Sequence, residues 1–154
     1  ARQGMKQIQI RSQQRLYPVI SGEIRKAAII LMDELLQMDA YDLNILFVNK
    51  IRMAKINLEH LRHEGATDII TFDYTTPSLL HGDLIICPPV VSENAARYRV
   101  SLGHEITRNI IHGILHLLGY DDSESIVRKK MKRAENRLLQ KLARRFPLDT
   151  LTHG

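Results

Sequence analysis

The segment His112-Gly-Ile-Leu-His116-Leu-Leu-Gly119-Tyr-Asp-Asp122 carries two imidazoles four residues apart, then a glycine, then two carboxylates. On an α-helix, residues i and i+4 project from one face about one turn apart. His112 and His116 therefore present their rings to one point. Gly119 is suited to end that helix in a left-handed cap, and a chain that turns back there returns Asp121 or Asp122 to the same place. Two imidazole nitrogens, one carboxylate oxygen and a fourth position open to water make a catalytic zinc site. Zinc lowers the pKa of its bound water to about 7, so zinc-bound water is the expected nucleophile. A lone helical histidine is ordinarily a satisfied surface or core residue, but a spaced pair followed by glycine and an acid is not readily explained that way. Asp121-Asp-Ser-Glu124 also reads as a helix N-cap with a glutamate three positions on. One aspartate is then expected to bind metal and the other to cap, in an order the spacing leaves open.

The spacing resembles the metzincin zinc motif, H-E-x-x-H-x-x-G-x-x-H, with two changes. Gly113 stands where a peptidase has its catalytic glutamate, which argues against peptide hydrolysis. Asp122 stands where the third histidine would be, making His112, His116 and Asp122 the expected ligand set for one Zn2+. A carboxylate is a competent ligand but adds negative charge, so the metal becomes a weaker Lewis acid than with three histidines.

These residues need a frame. At 154 residues, with 44% hydrophobic and 25% charged residues, the chain is expected to form a single domain, 1–154, with a real core. Met5 fits a native start, leaving residues 1–4 as an added extension. No apolar run approaches a membrane span, and no signal-like apolar core follows the N-terminus. One cysteine, Cys87, fits a reducing cytosol and reads as a small buried strand residue. The net charge of +5 is uneven. Residues 126–145 carry nine Lys or Arg and one acid, a net +8, so the rest of the chain carries −3. A one-sided basic helix points to a polyanion, nucleic acid first, although charged helix faces are usually only solvated.

Alternation predicts strands at Lys6–Arg11, Leu43–Val48, Ile69–Tyr74 and Gly82–Cys87, the last stopped by Pro88-Pro89. Helical spacing predicts a helix after Ser21-Gly22 with the stripe Ile24, Ala28, Leu31, Leu35, Met38, and a short helix from Lys50 to about Leu61. Three late helices follow: Val90 to about Tyr98, Gly103 to Leu118, and the basic helix. The second of these is apolar on most sides and is expected at the centre, with Gly113 allowing close packing. Val127, Met131, Ala134, Leu138 and Leu142 dock the basic helix on the core. Its off-stripe residues Lys129, Lys130, Arg133, Arg137 and Lys141 are the candidate RNA contacts. Strands early and helices late predict an α+β fold, a small mixed four-stranded sheet covered by helices.

Several segments together resemble the YbeY family of bacterial metal-dependent endoribonucleases. The family's H-G-x-L-H-L-x-G-Y-D-H reads here as residues 112–122, identical except at the last ligand. Its T-D-V-L-S-F strand is similar to Thr67-Asp-Ile-Ile-Thr-Phe72, its G-D-I-x-I strand to Gly82-Asp-Leu-Ile-Ile86, and its spaced Met and Glu to Met131 and Glu135. The resemblance runs from about residue 42 to 142. It implies a reduced metzincin-like fold with zinc on three side chains. It also implies hydrolysis of single-stranded RNA during ribosomal RNA maturation and small-subunit assembly in the bacterial cytoplasm. Ribosomal or ribosome-assembly proteins are then the expected partners. The family's arginine ahead of its T-D strand falls by ungapped counting on Leu61, so its neighbour Arg62 is the expected counterpart. Arg62, Arg97 or Arg99 would neutralise transition-state charge; the sequence names no general base. A metallopeptidase and a non-catalytic RNA-binding assembly factor with a weakened metal site are the competing readings.

Overall fold

The computed structural model describes residues 4–153. The expected extension at residues 1–4 therefore falls, for 1–3, outside the described residues. The strands are β1 (Lys6–Ser12), β2 (Tyr41–Phe47), β3 (Ile69–Asp73) and β4 (Leu80–Ile86). The helices are α1 (Ser21–Ile29), α2 (Lys50–Ile56), α3 (Pro88–Tyr98), α4 (Leu102–Leu117) and α5 (Ser125–Arg145). α1 and α2 each run on through a π-helical turn, Ile30–Leu35 and Asn57–Leu61, and Leu148–Leu151 adds a 3-10 turn.

The sheet order is β1-β2-β4-β3. β1, β2 and β4 run parallel, and β3 lies antiparallel on the outer edge of β4. Parallel neighbours need a crossover, and α1 supplies the one between β1 and β2. Alternation in β2 puts Tyr41, Leu43, Ile45 and Phe47 on a buried face. That face joins α1, α3, α4 and α5 in one apolar core. The opposite face is half covered. Met53 and Ile56 of α2 pack with Ile70, Ile85 and Cys87 at one end, while Gln9, Arg11, Asn44 and Asp83 line an open polar groove at the other.

The expected α+β mixed sheet is present, and α4 is its buried centre, packed on β3, β4, α3, α5 and the C-terminal turn. Two expectations are corrected at the end of β4. The strand stops at Ile86, and Cys87 sits just beyond it at the N-cap of α3, fully buried. Pro88 and Pro89 open that helix, because proline's fixed φ and missing N–H suit the first turn. Burial pushes the Cys87 thiol above its ordinary pKa, which leaves it an inert packing group. Among the described residues, no helix is long and apolar enough to cross a membrane.

Candidate metal centre

α4 starts where the Ser101 hydroxyl accepts the His104 N–H at 3.1 Å, a side-chain cap for an otherwise orphaned donor. Ile106, Ile110, Ile111, Ile114 and Leu115 then bury the helix. Gly113 lets α4 press onto the sheet. A Cβ there would meet Ile69 and Thr71 at 3.2 Å and run into Leu84 still closer. The helix ends in a Schellman motif. Gly119, at φ +96°, donates to the His116 carbonyl at 3.0 Å, and Tyr120 donates to the Leu115 carbonyl at 3.0 Å.

The turn brings Asp122 back over the two histidines. The His112 and His116 Nε2 atoms stand 3.2 Å apart. Asp122 Oδ2 lies 3.8 Å from His112 Nε2 and 3.7 Å from His116 Nε2. One ligand atom from each of the three falls within 4.8 Å of the others. Two nitrogens held by one tetrahedral ion at roughly 2.0–2.1 Å stand about 3.3 Å apart, so the imidazole pair has the spacing that a shared ion requires. The donor set, two imidazoles and a carboxylate, fits zinc.

Asp121 does something else. Its carboxylate accepts from the Ser123 N–H at 2.9 Å and the Ser123 hydroxyl at 2.7 Å, and these bonds hold its pKa below the ordinary value. The expected N-cap is not formed. α5 begins at Ser125 behind Glu124, with no side-chain cap, while Asp121 closes its own turn through Ser123.

Glu135 of α5 is 4% exposed, and its Oε2 lies 2.9 Å from His112 Nδ1. Its Oε1 accepts from Arg108 at 2.8 Å, with Lys132 Nζ at 3.5 Å. Burial pushes Glu135 up, but the bonds from His112 and Arg108 and the Lys132 charge outweigh it, leaving the carboxyl below its ordinary value. An ionised Glu135 only accepts, so His112 Nδ1 donates and Nε2 is left as a bare lone pair facing the triad. The Arg128 guanidinium donates to the Asp122 carbonyl at 3.0 Å and so ties the returning loop to α5.

A cleft of about 650 Å3 runs from His112 and Asp122 along α4, α3 and the start of β3. Near the triad it is lined by Arg108, Arg128, Lys132, Met131 and Glu135. Its lining also includes Glu105, His104, Asn109, Asp68, Asn94 and Tyr98. Burial pushes Glu105 above its ordinary pKa against the pull of Arg108 and Lys132. Burial and the Arg108 charge hold His104 below the ordinary imidazole value.

Arg62 follows the π-helical turn Asn57–Leu61. It is exposed, in a left-handed conformation at φ 56°, and is not among the residues lining the cleft; nor are Arg97 and Arg99. The cleft arginines are Arg108 and Arg128, which sequence reasoning passed over. The signal was legible: Arg128 and Lys132 sit at i and i+4 on the helix face that Met131 and Glu135 mark. Lys129, Lys130, Arg133, Arg137 and Lys141 are exposed on the outer face of α5, with Met131, Ala134, Leu138 and Leu142 buried beneath them and Val127 only half-buried.

An α+β layer whose central helix offers two histidines and a returned aspartate to an open cleft has the make-up of a metallohydrolase. The family model for endoribonuclease YbeY matches residues 7–143, and the chain belongs to that family. The match extends to β1, well beyond the segments that first suggested it. The endoribonuclease YbeY of Azobacteroides pseudotrichonymphae is 40% identical over 103 residues, covering 67% of this chain and 74% of that protein. That of Parabacteroides distasonis is 40% identical over 98 residues, covering 64% and 69%. The solution structure of TM1509 from Thermotoga maritima shares the fold, with a TM-score of 0.64 at 23% identity over 88% of each chain.

Proposed function

We propose that this chain is a zinc-dependent endoribonuclease cleaving single-stranded RNA, acting in ribosomal RNA maturation and small-subunit assembly in the bacterial cytoplasm. The observation that carries the reading is the convergence of His112, His116 and Asp122, with His112 aligned by the buried Glu135. His112 and His116 Nε2 and Asp122 Oδ2 would hold the ion. Bound zinc supplies Lewis acidity and lowers the pKa of water. The chain's own residues do the rest. Glu135 fixes the His112 tautomer, Arg128 anchors the Asp122 loop, and Arg108, Arg128 and Lys132 set positive charge beside the triad where a phosphodiester would lie. Gly113 offers no carboxylate for peptide hydrolysis and faces the sheet, which favours a nuclease over a peptidase. The outer basic residues of α5 support an RNA partner. The ribosomal target and ribosome-assembly proteins rest on the family resemblance.

The test compares wild type with His116→Ala for bound metal by elemental analysis and for cleavage of a labelled single-stranded RNA, with casein alongside. Wild type is expected to carry roughly one zinc per chain, to cut RNA and to leave casein intact; His116→Ala loses metal and RNA cleavage together. Equal metal content or equal RNA cleavage in the two proteins overturns the reading.

A further inference from the structure

The cleft has two chemically different ends. Arg128 and Lys132 of α5 line the cleft beside the triad, whereas the side toward the start of α4 carries Glu105, His104 and Tyr98, with Arg108 between the two. Glu105 is 5% exposed, lines the cleft and is ion-paired with Arg108, whose Nε stands 3.8 Å from its Oε2. Because that pairing is longer than a hydrogen bond, the carboxylate keeps acceptor positions open to a ligand in the cleft. The neighbouring His104 Nδ1 is buried without a hydrogen-bond partner. Asp68 lines the same cleft, and its Oδ1 accepts from the Ile69 N–H at 2.8 Å. Two carboxylates repel a phosphate, so this end suits another part of the substrate. Glu105 precedes His112 by two turns of α4, about 10 Å along the axis. That is too far to exchange a proton with the triad directly but within reach of a neighbouring nucleotide. At the mouth, the Tyr98 ring ends α3 at 63% exposure, an open face for stacking.

Resting on the nuclease reading, we infer that the far end of the cleft is a guanine subsite, in which Glu105 accepts from the base's edge and Tyr98 stacks on its face. A carboxylate is acceptor-only and bidentate. On the Watson–Crick edge, guanine alone presents two adjacent donors, the ring N–H and the exocyclic amino group. Adenine, cytosine and uracil each present one. Single-stranded RNA splays its bases for this kind of edge contact and aromatic stacking. The cations then follow the backbone toward the triad while one base is read at Glu105.

The test uses short uridine oligomers with one central position varied as guanosine, inosine, adenosine or uridine. For the zinc-loaded wild type, kcat/KM is expected to favour guanosine over uridine by about tenfold, the effect of one good bidentate contact. Inosine, lacking the amino donor, should fall between them. Equilibrium binding by fluorescence anisotropy before metal is added should give the same order. In Glu105→Gln the guanosine-to-uridine ratio should collapse toward one, because an amide cannot accept twice. In Tyr98→Ala both substrates should weaken while the ratio persists. Equal kcat/KM and equal binding for all four oligomers in wild type overturns the guanine subsite and leaves the nuclease reading standing, as does a preference that survives in Glu105→Gln. Failure to cut any oligomer overturns both.

Discussion

Asp121 and Asp122 are adjacent carboxylates with opposite environments. Asp121 is occupied by Ser123, while Asp122 faces both imidazoles. Asp122→Ala is therefore expected to lower bound zinc clearly and Asp121→Ala to leave it near wild type, as measured by elemental analysis. Asp122→His should keep or strengthen binding, since it returns a third imidazole to a place already aimed at the pair. The reverse pattern, with Asp121→Ala the damaging change, would reassign the third ligand. Glu135 acts through His112. Glu135→Gln no longer holds Nδ1 with a charge, so zinc affinity should fall roughly 10–100-fold, read by competition against a chromophoric chelator. Unchanged affinity would show that this carboxylate only packs and pairs with Arg108.

At the scale of elements, the metal centre depends on how α4 ends. The Schellman turn at Gly119 decides where the next three residues go, and that decides whether Asp122 reaches the histidines. Gly119 is exposed with open space around it, but its φ of +96° is one L side chains rarely adopt. Gly119→Ala should cost about 1–2 kcal/mol, visible as a lower Tm, and should weaken zinc binding as the loop relaxes. A variant that loses stability but binds zinc as wild type would uncouple the cap from the site. α5 is the second element of the centre. Its inner face carries Met131 and Glu135 to the core and the histidine, while Arg128 and Lys132 edge the cleft.

For the whole molecule the dominant feature is the placement of charge. The segment 126–145 is net +8 in a chain of +5, and its apolar stripe docks it so that Lys129, Lys130, Arg133, Arg137 and Lys141 face outward. Replacing these five by Gln should weaken RNA binding while zinc content and folding stay unchanged, since none is buried. Each lost phosphate contact should also reduce the slope of log affinity against log salt by about one. A stripped variant with the wild-type slope would show that the outer face is only solvated, and that RNA is held by the cleft cations.

Residue types and short spacings alone determined much of this. The i, i+4 histidines, the glycine cap after them, the strand alternation and the amphipathic stripe of α5 were all legible, because each follows from the local periodicity of one element. The metzincin-like spacing singled out Asp122, but only the fold separated it from Asp121, through the Ser123 bonds that occupy one carboxylate and leave the other. Likewise, only the packing of α5 across α4 brought Glu135 to His112, 23 positions away in the chain. The same packing turned Arg128 and Lys132 toward the cleft. Such meetings depend on which helix faces dock and in what register. Sequence periodicity says which face of a helix is apolar, and tertiary packing decides what that face meets.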